Sequence, residues 1–446
     1  GYMFARAGMP RNAVIVKVGS TPTPDLDAVE AALAALADGE RAAIRYYCLG
    51  DLHRERVSVL QMDRTWLPMQ LYTRNDVAGV WDAKRSPPPP PRKPQEPMTA
   101  SFTKGPTDLA TRVGRSVVSV HCHIPYLIDG VPAQAYYGTG LVVDAAKGLV
   151  VTDRNTVPIT LADVKITVAG TIELEARVRF VHPVHNFSIV QYDPALLGDT
   201  PVLSAVISDA PLRVGETTNF VGVISNGMLI GQQCLVTKLE RCSIRDASPP
   251  RYRESNIELL HFDKVASCNG GYFVTDGGEV QALWASFSST TSGGENKEYF
   301  RGLPADIVAG AVACLREERP VDLRWLDIEV VPVALSTARM GMGLSDEWVA
   351  RIGAVHDDRK HVLAVRRRLA GSDAFDKLRE GDLILTVNGV TVARIRDVER
   401  AIDNAETCEL RLLRETKEVT VTVRANVLDG VGCDRVVVWA GMMLHP

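Results

Sequence analysis

Two groups of side chains have the residue types of a reactive site. His121-Cys122-His123 sets two imidazoles and a thiol in consecutive positions, the donor types that hold zinc. Cys268 beside Asn269, with His185 beside Asn186, offers a thiol and an imidazole, the nucleophile and base of a cysteine hydrolase. Neither assembles from its spacing. Side chains alternate across a strand, so Cys122 faces away from both histidines and the three cannot converge on one ion. The same alternation turns Cys268 away from its neighbour, and a free cysteine is more often a small buried hydrophobe than a nucleophile. Gly430-Val431-Gly432 runs into Cys433-Asp434 with no helix following, so it is not a phosphate-cradling loop. We expect no metal and no other cofactor.

The elements that would have to position such groups read as several domains. With 446 residues, 46% of them hydrophobic and 23% charged, the chain has material for more than one packed core. A formal net charge of -4 gives no drive towards nucleic acid or an anionic membrane, and no apolar run reaches the roughly 18–20 residues that span a bilayer. The eight cysteines are scattered without a CxxC pair, which favours a reducing, intracellular compartment. Gly1 stands where a start methionine would, and we expect a segment of something longer. The proline run at 87–91 is a stiff, extended spacer rather than a docking motif. Residues 100–300 are a succession of short apolar strands with frequent glycine, among them Gly138–Val143, Leu149–Thr152 and Val280–Phe287, a spacing that favours an all-β barrel or sandwich. A helical run from Ala305 to Leu315 closes this region, ended by Pro320.

The flanks of this middle region repeat one another. In one ungapped register Val14–Val18 aligns with Leu383–Val387, and Val29–Leu33 with Val398–Ile402, each copy reading as strand, turn, amphipathic helix and further strands. The second copy carries Leu378-Arg379-Glu380-Gly381-Asp382-Leu383-Ile384 and ends its strand at Val387-Asn388-Gly389. Gly-Asp ahead of an apolar strand that closes on Asn-Gly resembles the bacterial-type PDZ domain, with turn residues at both strand ends.

The middle region resembles the HtrA/Deg serine proteases, a chymotrypsin-fold family with PDZ domains. Tyr137-Gly138-Thr139-Gly140-Leu141 and Gly148–Thr152 match the family's opening strands. Where the family then has its catalytic histidine, Thr152-Asp153-Arg154-Asn155-Thr156 has Asn155; where it has aspartate, His185-Asn186-Phe187-Ser188 has Asn186; where it has the nucleophilic serine, Cys268-Asn269-Gly270-Gly271 has Asn269. An amide neither takes a proton near neutral pH nor attacks a carbonyl, so the resemblance implies a degenerate, catalytically silent domain. Gln70–Asp76 with Trp81-Asp82, the stretch His182–Asn186, Gln281–Phe287 and Gly343–Trp348 are similar to the large tandem-PDZ members of fungi and plants.

The resulting expectation is a multidomain, mainly β chain: a PDZ-like domain at 1–82, a linker at 83–99, a degenerate trypsin-like double barrel at 100–315, an α+β PDZ-like domain at 323–425 and the start of another at 426–446. Its role would be binding and assembly within a protease of protein quality control. Rival classes are a protease with unorthodox residues and a free-standing PDZ scaffold. Implied partners are protein or peptide segments and further copies of the chain, with a nuclear location if the protein is of the fungal type and a chloroplast or other organelle if of the plant type. The loop that presents amides to a peptide's end in such domains would be Trp325-Leu326-Asp327-Ile328, with Asp327 where glycine is expected. A carboxylate there disfavours an anionic chain end. Extended internal segments or a neighbouring domain then become the better ligands.

Overall fold

A computed structural model describes residues 2–126, 128, 131, 133–208, 210–224, 227–242, 256–290, 296–356, 360–439 and 442–444. The chain divides into two compact units, Gly1–Pro97 and Met98–Pro446. In the first, α1 (Tyr2–Arg6) precedes β1 (Ala13–Val18), β2 (Thr21–Pro22), α2 (Leu26–Ala34), β3 (Arg41–Cys48) and β4 (Asp51–Gln61), and the sheet order is β2-β1-β3-β4. Alternation along β3 buries Ala42, Ile44, Tyr46 and Cys48, and Leu33 of α2 packs with them. A separate hairpin, β5 (Gln70–Asn75) and β6 (Val80–Arg85), follows before the proline run.

The second unit opens with α3 (Asp108–Gly114), capped by the Thr107 hydroxyl, which accepts from the Ala110 amide. Six strands then close a barrel: β7 (Val117–His123), β8 (Ala135–Asp144), β9 (Leu149–Thr152), β10 (Asp163–Val168), β11 (Ile172–Val181) and β12 (Ser188–Tyr192). A second closed barrel uses β13 (Thr217–Val223), β14 (Leu229–Arg241), β15 (Glu258–Phe262), β16 (Gly271–Val274), β17 (Val280–Thr290) and β18 (Asn296–Pro304). This pair of six-stranded antiparallel barrels is the chymotrypsin-like double barrel. Val120, Cys122, Val150 and Ile166 fill the first barrel, and Phe220, Phe273 and Ala282 the second. A third cluster, with Leu141, Val151, Phe187, Val221 and Leu283, lies between them.

Helix α4 (Asp306–Arg316) covers that seam with Ile307, Val308, Ala311, Val312 and Leu315, a stripe at helical spacing in which each large side chain contributes about 1.5–3 kcal/mol by leaving water. It stops short of Pro320. Glu318 takes a left-handed φ of 56°, and the Arg319 amide returns to the Cys314 carbonyl, so a helix-end turn rather than the proline terminates it.

The remaining elements are β19 (Leu323–Trp325), β20 (Ile328–Ala334), α5 (Leu335–Met342), α6 (Asp346–Gly353), β21 (His361–Arg368), α7 (Asp373–Lys377), β22 (Leu383–Val387), β23 (Val390–Thr391), α8 (Ile395–Ile402), β24 (Thr407–Arg414), β25 (Lys417–Arg424) and β26 (Asn426–Leu428). The sheet runs β20-β21-β22-β24-β25, with β23 on β22, and β19 pairs separately with β26. The run β23-β22-β24-β25 with α8 has the same order as β2-β1-β3-β4 with α2, which is the repeat in three dimensions. Because β26 pairs with β19, Asn426–Leu428 belongs to this domain's own second sheet. Beyond it the Gly430 and Cys433 carbonyls accept from Val181 and Leu161 of the first barrel, and β27 (Val437–Trp439) pairs with β28 (Met442–Leu444).

Candidate functional site

Asn155 lies on the turn after β9 and Asn186 on the loop entering β12, and the fold brings them into contact. The Asn155 amide N–H donates to Asn186 Oδ1 at 3.2 Å. Both side chains converge on Ser286 of β17, in the other barrel: Asn155 Nδ2 donates to Ser286 Oγ at 3.0 Å, and Asn186 Nδ2 to the Ser286 carbonyl at 2.6 Å. Beneath them is a carboxylate that sequence reasoning passed over. Asp153 is buried and accepts from the Thr156 amide at 2.7 Å, the Ser286 hydroxyl at 3.2 Å and the Ser286 amide at 3.2 Å. Burial pushes its carboxyl up, and these hydrogen bonds hold part of that rise back. The chain of donors therefore runs amide to hydroxyl to carboxylate, with no imidazole in it. Its chemistry is that of a joint between barrels.

Asn269 stands apart, exposed on the loop ahead of β16. Its backbone N–H donates to the Val223 carbonyl at 2.9 Å, while the Val223 N–H donates to Gly270 at 3.1 Å, so residues 269–270 prolong the β13–β16 ladder. The amide at this position is thereby satisfied within the protein. Gly270 adopts a φ of +144°, and a Cβ there would lie 2.3 Å from Thr139 Oγ1, so the loop packs too closely for any other residue. Tyr272 follows, buried, its phenol raised by that burial and held by the Thr139 hydroxyl. Among the described residues no hydrogen bond joins Asn269 to Asn155 or Asn186.

The other reactive types are placed as packing groups. Cys122 is fully buried, its thiol pushed up to about 12 by burial, while His121 and His123 lie edge-on to Tyr137. Cys268 sits in a loop, not on a strand as the alternation argument assumed, yet it packs against the second-barrel core and burial raises its thiol as well.

His182 and His185 do more. His182 is buried between Phe180 and Phe187, and its Nδ1 accepts the amides of Val184 at 3.0 Å and His185 at 2.8 Å. Burial first, then His185, Arg154 and Arg396, hold its pKa well below the ordinary 6.5. The folded state therefore keeps it neutral while an unfolded chain takes up a proton. Stability is full above pH 6.5 and should fall below it by about 1.4 kcal/mol per pH unit until the folded value is reached. Urea midpoints at pH 7.5 and 5.5, compared with those of His182→Asn, test this: the variant should lose most of the difference, and equal slopes reject the assignment.

His185 Nε2 donates to Glu399 Oε1 of α8 at 2.7 Å; Arg396 bonds Glu399 at 3.0 Å and Asp306 at 3.0 Å, and Arg400 bonds Asp306 at 2.9 Å. This network edges a cavity of about 570 Å³ between the second barrel and α8, which also includes His356 and Arg394. It fastens the sheet domain to the barrels.

At the predicted peptide loop, Trp325 and Leu326 are buried and the Trp325 indole N–H donates to the Ile328 carbonyl at 2.9 Å. Asp327 takes the left-handed φ of 55° that the turn requires, so the turn persists without glycine. Its carboxylate accepts from Asn426 Nδ2 instead of facing solvent freely; burial raises its pKa and that hydrogen bond lowers it. The amide of Leu369 donates to its carbonyl at 2.9 Å.

No protein-family model matches the chain. Curated relatives named "Pro-apoptotic serine protease nma111" match it along most of its length: that of Aspergillus terreus is 34% identical over 446 residues, 97% of this chain and 43% of the relative, and that of Phaeosphaeria nodorum is 33% identical over 440 residues with the same shares. The chain thus spans less than half the length of these relatives. Among solved structures, "HtrA-type protease AlgW with tripeptide" aligns with a TM-score of 0.49 at 14% identity, over 72% of this chain and 96% of that one. "HtrA-type protease AlgW with decapeptide" gives 0.48 at 13%, over 72% and 98%.

Proposed function

We propose that this chain, 97% of which matches fungal proteins named as serine proteases at 33–34% identity, belongs to the HtrA-type serine protease family and is a non-catalytic, binding and assembly segment of such a protease. The observation that carries this reading is the site itself: amides stand at the three positions that the resemblance assigns to the reacting groups, and the two that meet are bonded to Ser286 across the barrels. Acyl transfer needs a base, an orienting acid and a nucleophile, and amides supply none of them. The double barrel then serves as a scaffold, the PDZ-like domains take extended protein segments, and peptide-bond cleavage belongs to parts of the relatives that this chain does not span. Association with further copies, as the family's barrels do, and a place in protein quality control follow from the same reading.

The purified chain should neither react with a fluorophosphonate probe nor hydrolyse casein above a blank. Labelling that disappears in Asn269→Ala would overturn the proposal. Light scattering of the 446-residue chain tests assembly: a strict monomer at micromolar concentration leaves the barrel as a spacer between binding modules.

A further inference from the structure

Among the described residues strand β20 ends its sheet, with β21 on one side and no further strand on the other. An open edge of this kind is where a sheet takes up an extended chain, through the carbonyl of one residue and the amide of the residue two further on. Those groups are already taken. Asn256, on the approach to β15 in the second barrel and itself 2% exposed, donates its Nδ2 to the Ile328 carbonyl at 2.8 Å and accepts the Val330 N–H on its Oδ1 at 3.1 Å. One side-chain amide so reproduces the two bonds that one residue of an added parallel strand would make. Glu329, between the two, is held from the same barrel: Arg241 of β14 bonds it at 2.5 Å, alongside Arg366 of β21 at 2.5 Å. Three consecutive residues of β20 are clamped by the degenerate barrel. Further along, Pro332 offers an added strand only its carbonyl, so Val330 in the clamped stretch supplies the nearest backbone donor on this edge.

We propose that the barrel acts as an internal ligand of its own PDZ-like domain, Asn256 closing the strand-addition edge until an extended polypeptide segment displaces it. This rests on the reading of that domain as a peptide binder. The ligand it fits is an internal or C-terminally blocked segment, since Asp327 occupies the turn at the head of β20. Opening costs the two Asn256 bonds and the Arg241–Glu329 bond; an incoming strand restores the equivalents of the first two, and Glu329 keeps Arg366, so the ligand has only the Arg241 contact to offset.

The test uses the whole 446-residue chain and two readouts. The first is residue-resolved hydrogen exchange at the Val330 amide, which should quicken at least tenfold in Asn256→Ala while the amides of β21 stay protected. Asn256→Leu, which keeps the volume but loses both donor and acceptor, is the second variant should the alanine form fold poorly; in it the Val330 amide should quicken in the same way. The second readout is fluorescence anisotropy with a fluorescein-labelled, C-terminally amidated hexapeptide of alternating valine and threonine, which should bind Asn256→Ala at least tenfold more tightly than the parent and should restore protection at Val330. Unchanged exchange at Val330 overturns the clamp. Equal affinity for parent and variant overturns the gating role while leaving the domain a peptide binder. Binding to neither chain, with Val330 exposed, overturns the peptide-binding reading itself.

Discussion

Replacing Asp382 with alanine is expected to lower the stability of the PDZ-like domain that carries it by about 3 kcal/mol, one of the largest losses available to a single polar substitution here. Its side chain is 1% exposed and holds Arg414 through two bonds, Nε at 2.9 Å and Nη2 at 2.7 Å, while the Arg379 amide donates to it at 2.8 Å. The truncation leaves that guanidinium facing a cavity and the amide without an acceptor; removing one member of a buried pair costs more than removing both. Arg414, whose other bond is to the Lys377 carbonyl, is 17% exposed and can relax part of the way into water, which keeps the figure at the lower end. Equilibrium urea unfolding of the chain, Asp382→Ala, Arg414→Met and the double variant checks it. The double variant should be more stable than the sum of the single losses predicts, and strict additivity would show that the pair does not act as a unit.

Asp382 also shows what kind of structure can be read from residue types. Gly381-Asp382 and Asn388-Gly389 were legible because their work is local or nearly so: Asp382 caps its own turn, and Asn388 takes a left-handed φ of 48° at the strand end while its Oδ1 accepts from Glu409. The segments around Asn155, Asn186 and Asn269, proposed above as the triad positions, are each a short turn tied to one strand, so their places in the barrels could be read in a similar way. Strands β11 and β14 were not, since Ile172-Glu173-Leu174-Glu175 and Gln232–Glu240 alternate with exposed polar residues on the outer wall of a barrel and carry no long apolar run. Nothing local marks Ser286 as the partner of Asn155 and Asn186, Glu399 as that of His185, or Asn256 as that of β20. These contacts link residues far apart in sequence, and each depends on how one domain is laid against another, which periodicity within either cannot report. The turn at Asp327 makes the converse point. Glycine is the residue expected at this turn, but Asn426, brought there by β26, bonds the carboxylate of an aspartate that takes the same left-handed φ.

A chain carrying Asn155→His, Asn186→Asp and Asn269→Ser together is expected to stay inactive. Restoring the reacting groups does not restore the surroundings that a working triad needs. The first obstacle is Asn186→Asp. Asn186 Nδ2 now donates to the Ser286 carbonyl at 2.6 Å, and an anionic oxygen in that place would face another acceptor at close range. It would also sit around the same serine as Asp153, whose carboxyl burial already pushes up, and two carboxylates sharing one site do not both ionise readily. The second obstacle is the backbone. In acyl transfer the N–H of the nucleophile residue stabilises the oxyanion, and losing one such donor alone costs about 10²–10³ in kcat. Here the residue 269 N–H is bonded to the Val223 carbonyl, and the return bond from Val223 to Gly270 fixes the loop in that strand-like path. Gly270 cannot swing without its backbone passing Thr139, against which it is already packed. The triple variant should therefore show no fluorophosphonate labelling and no casein turnover above the parent chain, and the Asn186→Asp step alone should lower the urea midpoint. Labelling of the triple variant that vanishes when position 269 is changed to alanine would show that the oxyanion site can form after all, and that the three amides alone keep this barrel silent.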